Sequence, residues 1–162
     1  GLVGSEMCIR YRHKGSAVVM ATSKENVAVA DVERALAAAG RFHINSFGSL
    51  MSKGGAPDFI TCDRTGRLVG IEVKRPGETP KVNQFRRACE MLISGARYIV
   101  AYEGFTIKDI DCEPDAETDN RSIVALSCDL VIGDTEFDLH FNSFKPRKSG
   151  AVELVTAQSL HD

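Results

Sequence analysis

The chain of 162 residues has no tryptophan, no apolar run near the roughly 20 residues needed to cross a bilayer, and no CxxC pair. Its five cysteines, Cys8, Cys62, Cys89, Cys112 and Cys128, are odd in number and widely spaced. That pattern argues against a disulfide scaffold or a zinc ribbon and predicts reduced, structural thiols. No HExxH pair is present, and His43 and His140 stand alone, so a zinc hydrolase is not expected. A GxxxxGK[ST] phosphate loop and a GxSxG nucleophile elbow are also missing, and Gly54-Gly55 is too short for a dinucleotide fingerprint. The N-terminus lacks the charged-then-apolar pattern of a secretion signal, which predicts a cytoplasmic protein without membrane partners.

The net charge of −2 conceals a strong segregation. Between Arg41 and Val100 there are 10 basic residues against 5 acidic ones, whereas from Glu103 to His140 there are 2 against 11. A basic middle suits a polyanionic partner and the acidic tail does not.

Residues 1–19 read as a leader outside the fold, the first dozen carrying neither helical nor strand periodicity. The opening GLVGSEMCIRYR resembles a translated sequencing adapter, a disordered native leader being the other reading, and Met20 is the expected start. A first helix is predicted from about Lys24 to Ala39, with Glu25, Val29, Val32, Leu36 and Ala39 on one face and Gly40 ending it. Strands follow at Arg41–Phe47, with Phe42 and Ile44 as the apolar side, at Asp58–Asp63 and at Arg67–Lys74. A second helix is marked by Thr79 as N-cap, Pro80 at its first position and Gly95 past its end; its apolar stripe is Val82, Phe85, Cys89 and Leu92. Arg97–Tyr102 is a fourth strand, which makes the fold class α/β: αβββαβ with a mixed sheet flanked by helices. Residues 105–162 read as an acidic linker around Asp111–Asn120 and a mostly β extension. That extension has strands at Ser122–Ile132 and Glu136–Phe144, a basic patch at Lys145–Lys148 and a last apolar segment at Ala151–Ala157.

Between the second and third strands, Arg64-Thr65-Gly66 has glycine where a three-residue hairpin loop needs a left-handed residue. A loop centred on Thr65 sets Asp63 opposite Arg67 and, continuing outward, Asp58 opposite Glu72. Opposed side chains have Cβ atoms about 4.5–5.5 Å apart, so two carboxylates there repel unless something positive lies between them. A hard divalent cation held by oxygens, magnesium first, is the natural candidate. Strand alternation puts Gly70, Glu72 and Lys74 on one face and Val69, Ile71 and Val73 on the other, an apolar face for a helix to cover. Gly70 is expected to leave the first face open to substrate. The bland alternative is a surface Glu–Lys cluster worth little.

The text GAPDF at 55–59, GIEVKRPGETP at 70–80 and Gln84 resembles the PD-(D/E)XK nuclease superfamily, most closely its virus-type replication-repair branch related to Holliday-junction resolvases. The resemblance covers about Glu25 to Tyr102 and implies a restriction-endonuclease-like core over 20–104. It implies Mg²⁺, with Mn²⁺ able to substitute, bound by Asp58, Glu72 and the carbonyl of Val73. Lys74 would orient or help deprotonate the attacking water, and Gln84 would support the site. The family also has an acid on the first helix; Glu25 fits, Glu33 is the rival, and a capping box of Thr22 with Glu25 is the other reading of Glu25. The implied activity is cleavage of DNA, branched or damaged, in phage or mobile-element replication, recombination or repair. Resolvase-like members are often homodimers. Lys53, Arg75, Lys81 and Arg87 are the candidate phosphate contacts, and Arg86 reads as a solvated residue. A restriction-type duplex nuclease and a non-catalytic DNA-binding module on the same fold are the competing readings.

Overall fold

The computed structural model describes residues 24–46, 54–111, 121–129, 138–140 and 144–156. The elements are α1 (Lys24–Ala38), β1 (His43–Asn45), β2 (Phe59–Cys62), β3 (Leu68–Val73), α2 (Val82–Ile93), β4 (Arg97–Ala101), α3 (Lys108–Asp111), β5 (Arg121–Asp129), β6 (Asp138–His140) and β7 (Ala151–Thr156). β1, β2, β3, β4 and β7 lie side by side in that order as a mixed open sheet, and β5 and β6 continue it beyond β7. The fold is α/β, with helices on both faces of that sheet. No helix among the described residues is long and apolar enough to cross a membrane.

The two faces follow from strand alternation. Val29, Val32 and Leu36 of α1 pack on Phe59, Val69, Ile71, Val73, Ile99 and Ala101. Phe85, Ala88 and Cys89 of α2 pack on Tyr98, Val100, Tyr102, Val152 and Leu154. The odd-numbered residues of β3 and β4 therefore meet α1 and the even-numbered ones meet α2. β3 and β4 run parallel, as a helical crossover between them requires. β7 enters antiparallel to β4, so it begins at the end of the sheet where β3 and β4 finish.

Several boundaries differ from the sequence expectations, each for a local reason. Helix α2 starts at Val82 with an extended Lys81 as N-cap, two residues after Thr79, because Arg75-Pro76-Gly77-Glu78 first makes a turn closed by Glu78 N–H to Arg75 O at 3.0 Å. Proline second and glycine third, with φ 83° at Gly77, are the signature of a type II turn. At the helix entrance Val82 is left exposed, and Ala88 joins the buried stripe instead. Strand β1 is a short edge strand; Ile44 within it and Phe42 just before it are exposed, so their alternation does not mark a core face. Asp111 belongs to α3, where it pairs with Arg41 and Arg64, rather than to a linker. Cys89 is disulfide-bonded, against the expectation of reduced thiols, whereas Cys62 is free. The leader and the segments 47–53 and 112–120 also lie outside them.

Candidate active site

The hairpin between β2 and β3 has the register expected from its loop. Phe59 faces Ile71, Ile60 faces Gly70, Thr61 faces Val69 and Cys62 faces Leu68. Gly66 takes φ 87°, and the turn is locked by Asp63, whose Oδ1 accepts from Thr65 N–H, Thr65 Oγ1 and Arg67 N–H. Burial pushes the Asp63 carboxyl up, but those bonds and one from Arg97 outweigh it and bring its pKa to about 2. One step beyond the ladder, Asp58 stands opposite Glu72 on the α2 face.

Each acid is held by specific donors. Asp58 Oδ2 accepts the Val73 N–H at 2.8 Å. Glu72 Oε1 accepts Gln84 Nε2 at 2.6 Å and lies 3.0 Å from Lys74 Nζ. The side chains of Glu72 and Lys74 are only 2% and 6% exposed, so this is a buried ion pair and not a solvated surface cluster. Gln84 works at both ends of its amide, since its Oε1 also accepts the Lys81 N–H at 2.7 Å at the start of α2. Those two partners fix the orientation of the amide and tie the position of Glu72 to the first turn of the helix.

Prolines and glycines place the rest. Continuing the β2–β3 register sets Pro57 opposite Val73, at a position where the alternation from Asp63–Arg67 calls for a pair that exchanges both ladder bonds. Pro57 has no N–H to give, so the ladder cannot use the Val73 carbonyl from that side, and the Val73 N–H turns to Asp58 instead. Gly55, at φ 85°, lies against the backbone of Asn83, where a Cβ would collide with the Asn83 carbonyl. The GAPD loop is thereby pinned to the start of α2. Gly70 is not an open face: a Cβ there would stand 2.8 Å from Met91 Cε and 3.2 Å from Pro57 Cγ, so α2 fills that space.

Tyr98 escapes sequence reasoning altogether. It pairs with Gly70, shares the face of Glu72, and is fully buried with a hydroxyl that has no hydrogen-bond partner among the described residues. Burial first, then the charges of Glu72 and Asp58, raise its pKa well above the ordinary phenol value. A buried hydroxyl left unsatisfied costs about 1–3 kcal/mol, and phenylalanine would pack there without that cost. Its only sequence signal is that a tyrosine two residues from Val100 must share the face of the residue opposite, and that requires knowing β3 and β4 are neighbours.

The remaining expectations divide. Arg75 pairs with Glu78, whose carboxyl that bond lowers, and Arg87 pairs with Glu90. Lys81 is exposed at the helix start, as is Arg86 one turn on; Lys53 lies outside the described residues. Glu33 is half-exposed on α1 with its Oε1 3.8 Å from His43 Nε2, away from the Asp58–Glu72 pair on the other face of the sheet. Glu25 falls in the first turn of α1, with its side chain outside the described part. Among the described residues, no group of three or more His, Cys, Asp or Glu is gathered for a metal. A cleft of about 690 Å³ opens beside Val27, Ala28, Pro76 and Phe105 on the α1 side, not over the carboxylates.

A second buried network lies at the far end of β4. Arg97 bonds Glu153 through Nε and Nη2, Asp63 through Nη1 at 3.1 Å, and the Ile110 carbonyl. It clamps the hairpin turn, β7 and α3 together, and it accounts for Arg97, Ile110 and Glu153, which sequence reasoning left without a role.

The ligand atoms that Asp58, Glu72 and Val73 offer are all oxygens: two carboxylates and one backbone carbonyl spared by a proline. That is the chemistry of a hard divalent cation such as Mg²⁺. Comparison of the chain with protein-family models, with curated proteins and with solved structures gave no match.

Proposed function

We propose that this chain is a Mg²⁺-dependent deoxyribonuclease of the PD-(D/E)XK type, with a restriction-endonuclease-like core, acting on branched or junction DNA in replication, recombination or repair. The observation that carries the reading is the convergence of Asp58, Glu72 and Lys74 on one sheet face, with Gln84 reaching Glu72 from α2. Its spacing matches PD…ExK with the supporting Gln, and the hairpin register behind it follows from local turn chemistry.

Asp58, Glu72 and the Val73 carbonyl would hold the cation, which when bound supplies positive charge to the phosphate oxygens and lowers the pKa of a coordinated water. Gln84 keeps the Glu72 carboxylate in one orientation, and the Val73 N–H does the same for Asp58. Lys74 would orient the attacking water and offset charge developing on the phosphate, its ammonium lying 3.0 Å from Glu72 on the same face. The basic stretch around the site supplies the phosphate contacts that hold the strand.

The test is cleavage of a labelled four-way junction, flap, linear duplex and single strand, with Mg²⁺, Mn²⁺ or EDTA, by the wild type and Lys74→Ala. Metal-dependent cutting by the wild type, lost in Lys74→Ala, is the expected result, and the preferred substrate identifies the task. A folded protein that binds DNA but cuts none of these substrates with either metal refutes the nuclease and leaves a binding module.

A further inference from the structure

The basic segment Lys145-Pro146-Arg147-Lys148 has no role in the site described so far, and it is far from it in sequence. The fold brings it back. Phe144 seats its ring edge-on against Phe85 of α2, with centroids 5.5 Å apart. Three residues later the Arg147 carbonyl accepts the Gly77 N–H at 2.8 Å, in the turn that follows Lys74. Gly150 then exchanges bonds with the end of β4, its N–H to Glu103 O and its O from Tyr102 N–H, both 2.8 Å.

Residues 144–150 therefore form a strap fastened at three points. It runs on the α2 face and at the end of the sheet where β3 and β4 finish, and that is the face and the end that carry Glu72 and Lys74. Lys145 and Lys148 are exposed on it and Arg147 is half-buried. Next to it the turn contributes Arg75, and the entrance of α2 contributes exposed Lys81. Lys145, Arg147 and Lys148 of the strap and Lys81 at the start of α2, with Arg75 paired to Glu78 between them, thus rim one end of a protein whose net charge is −2.

We propose that this strap is a phosphate-backbone contact surface, and that Lys145 and Lys148 hold a nucleic-acid strand across the Asp58–Glu72–Lys74 site. The inference rests on the nuclease reading for its partner. An anionic membrane is less favoured: the cations rim the candidate site, and the strap's aromatic side chain, Phe144, is turned in against Phe85 and is not offered to a bilayer.

The experiment measures binding of a fluorescent duplex and a four-way junction in EDTA across a salt series, for the wild type and for Lys145→Gln/Lys148→Gln. Mg²⁺-induced change in melting temperature is followed in parallel. Loss of two phosphate contacts lowers the slope of log K against log salt by about 1.8 on duplex DNA, and weakens binding on every sequence alike. The Mg²⁺ response stays as in the wild type. An unchanged slope and affinity in the double variant, with a wild type that binds and cuts, overturns the strap alone. A wild type that binds no DNA in EDTA and cuts none in Mg²⁺ overturns the nuclease reading and the strap together. Strap-dependent binding to phosphatidylserine vesicles in place of DNA overturns the choice of partner.

Discussion

Replacing Lys74 with alanine tests the site through stability before any substrate is added. In the metal-free protein Glu72 is buried, and its neutralising neighbour is the Lys74 ammonium, 3.0 Å from Oε1. Removing one member of a buried pair costs about 3–5 kcal/mol, because the remaining charge stays out of water. Gln84 still donates to Glu72, which points to the lower figure. About 3 kcal/mol in a chain of this size lowers the melting temperature by roughly 6–12 °C. A buried carboxylate without a counter-ion also takes up a proton. Its folded pKa is then raised above the unfolded one, so the deficit is largest at neutral pH and shrinks as the pH falls. On the proposed reading, Mg²⁺ would supply the missing positive charge. It is therefore expected to raise the melting temperature of Lys74→Ala by more than that of the wild type, where binding must displace Lys74 from Glu72. The assay is thermal unfolding in EDTA and in millimolar Mg²⁺, at neutral and mildly acidic pH. A Lys74→Ala protein that melts like the wild type in EDTA refutes the counter-ion argument. An equal Mg²⁺ shift in both proteins refutes Glu72 as a ligand.

Two further expectations are independent of cleavage. The Asp63 carboxyl, held near 2 against an ordinary value of 3.8, stabilises the fold fully above about pH 4 and loses that contribution as the pH falls toward 2. Asp63→Asn should remove this part of the acid dependence, roughly 1 kcal/mol after allowance for solvent at the turn, and urea unfolding at pH 5, 4 and 3 reads it. Because the chain has no tryptophan, tyrosine excitation can reach a bound terbium ion, a hard oxygen-seeking cation, without interference. Tyr98, on the face of Glu72, should sensitise its emission. The signal should fall with excess Mg²⁺, disappear in Asp58→Asn and drop sharply in Tyr98→Phe; wild-type emission that none of these changes would place the ion elsewhere.

Local chemistry in the sequence was sufficient for the β2–β3 hairpin and for the face its residues occupy. Gly66 and the Asp63 cap set the turn, and because side chains alternate strictly along a strand, the turn determines everything outward from it to Asp58, Glu72 and Lys74. Val29, Val32 and Leu36 were legible as the α1 core face for the same reason, a period carried within one element. What the periodicity could not contain is which elements become neighbours. Met91 filling the space over Gly70, Tyr98 beside the carboxylates, and Arg97 reaching Asp63, Glu153 and Ile110 all depend on strand order. So does the return of Lys145–Lys148 to the turn after Lys74, which follows from β7 inserting next to β4. Those contacts join residues tens of positions apart. Their energy comes from packing and charge pairing that exist only once the sheet has assembled, so no single segment of the sequence carries them.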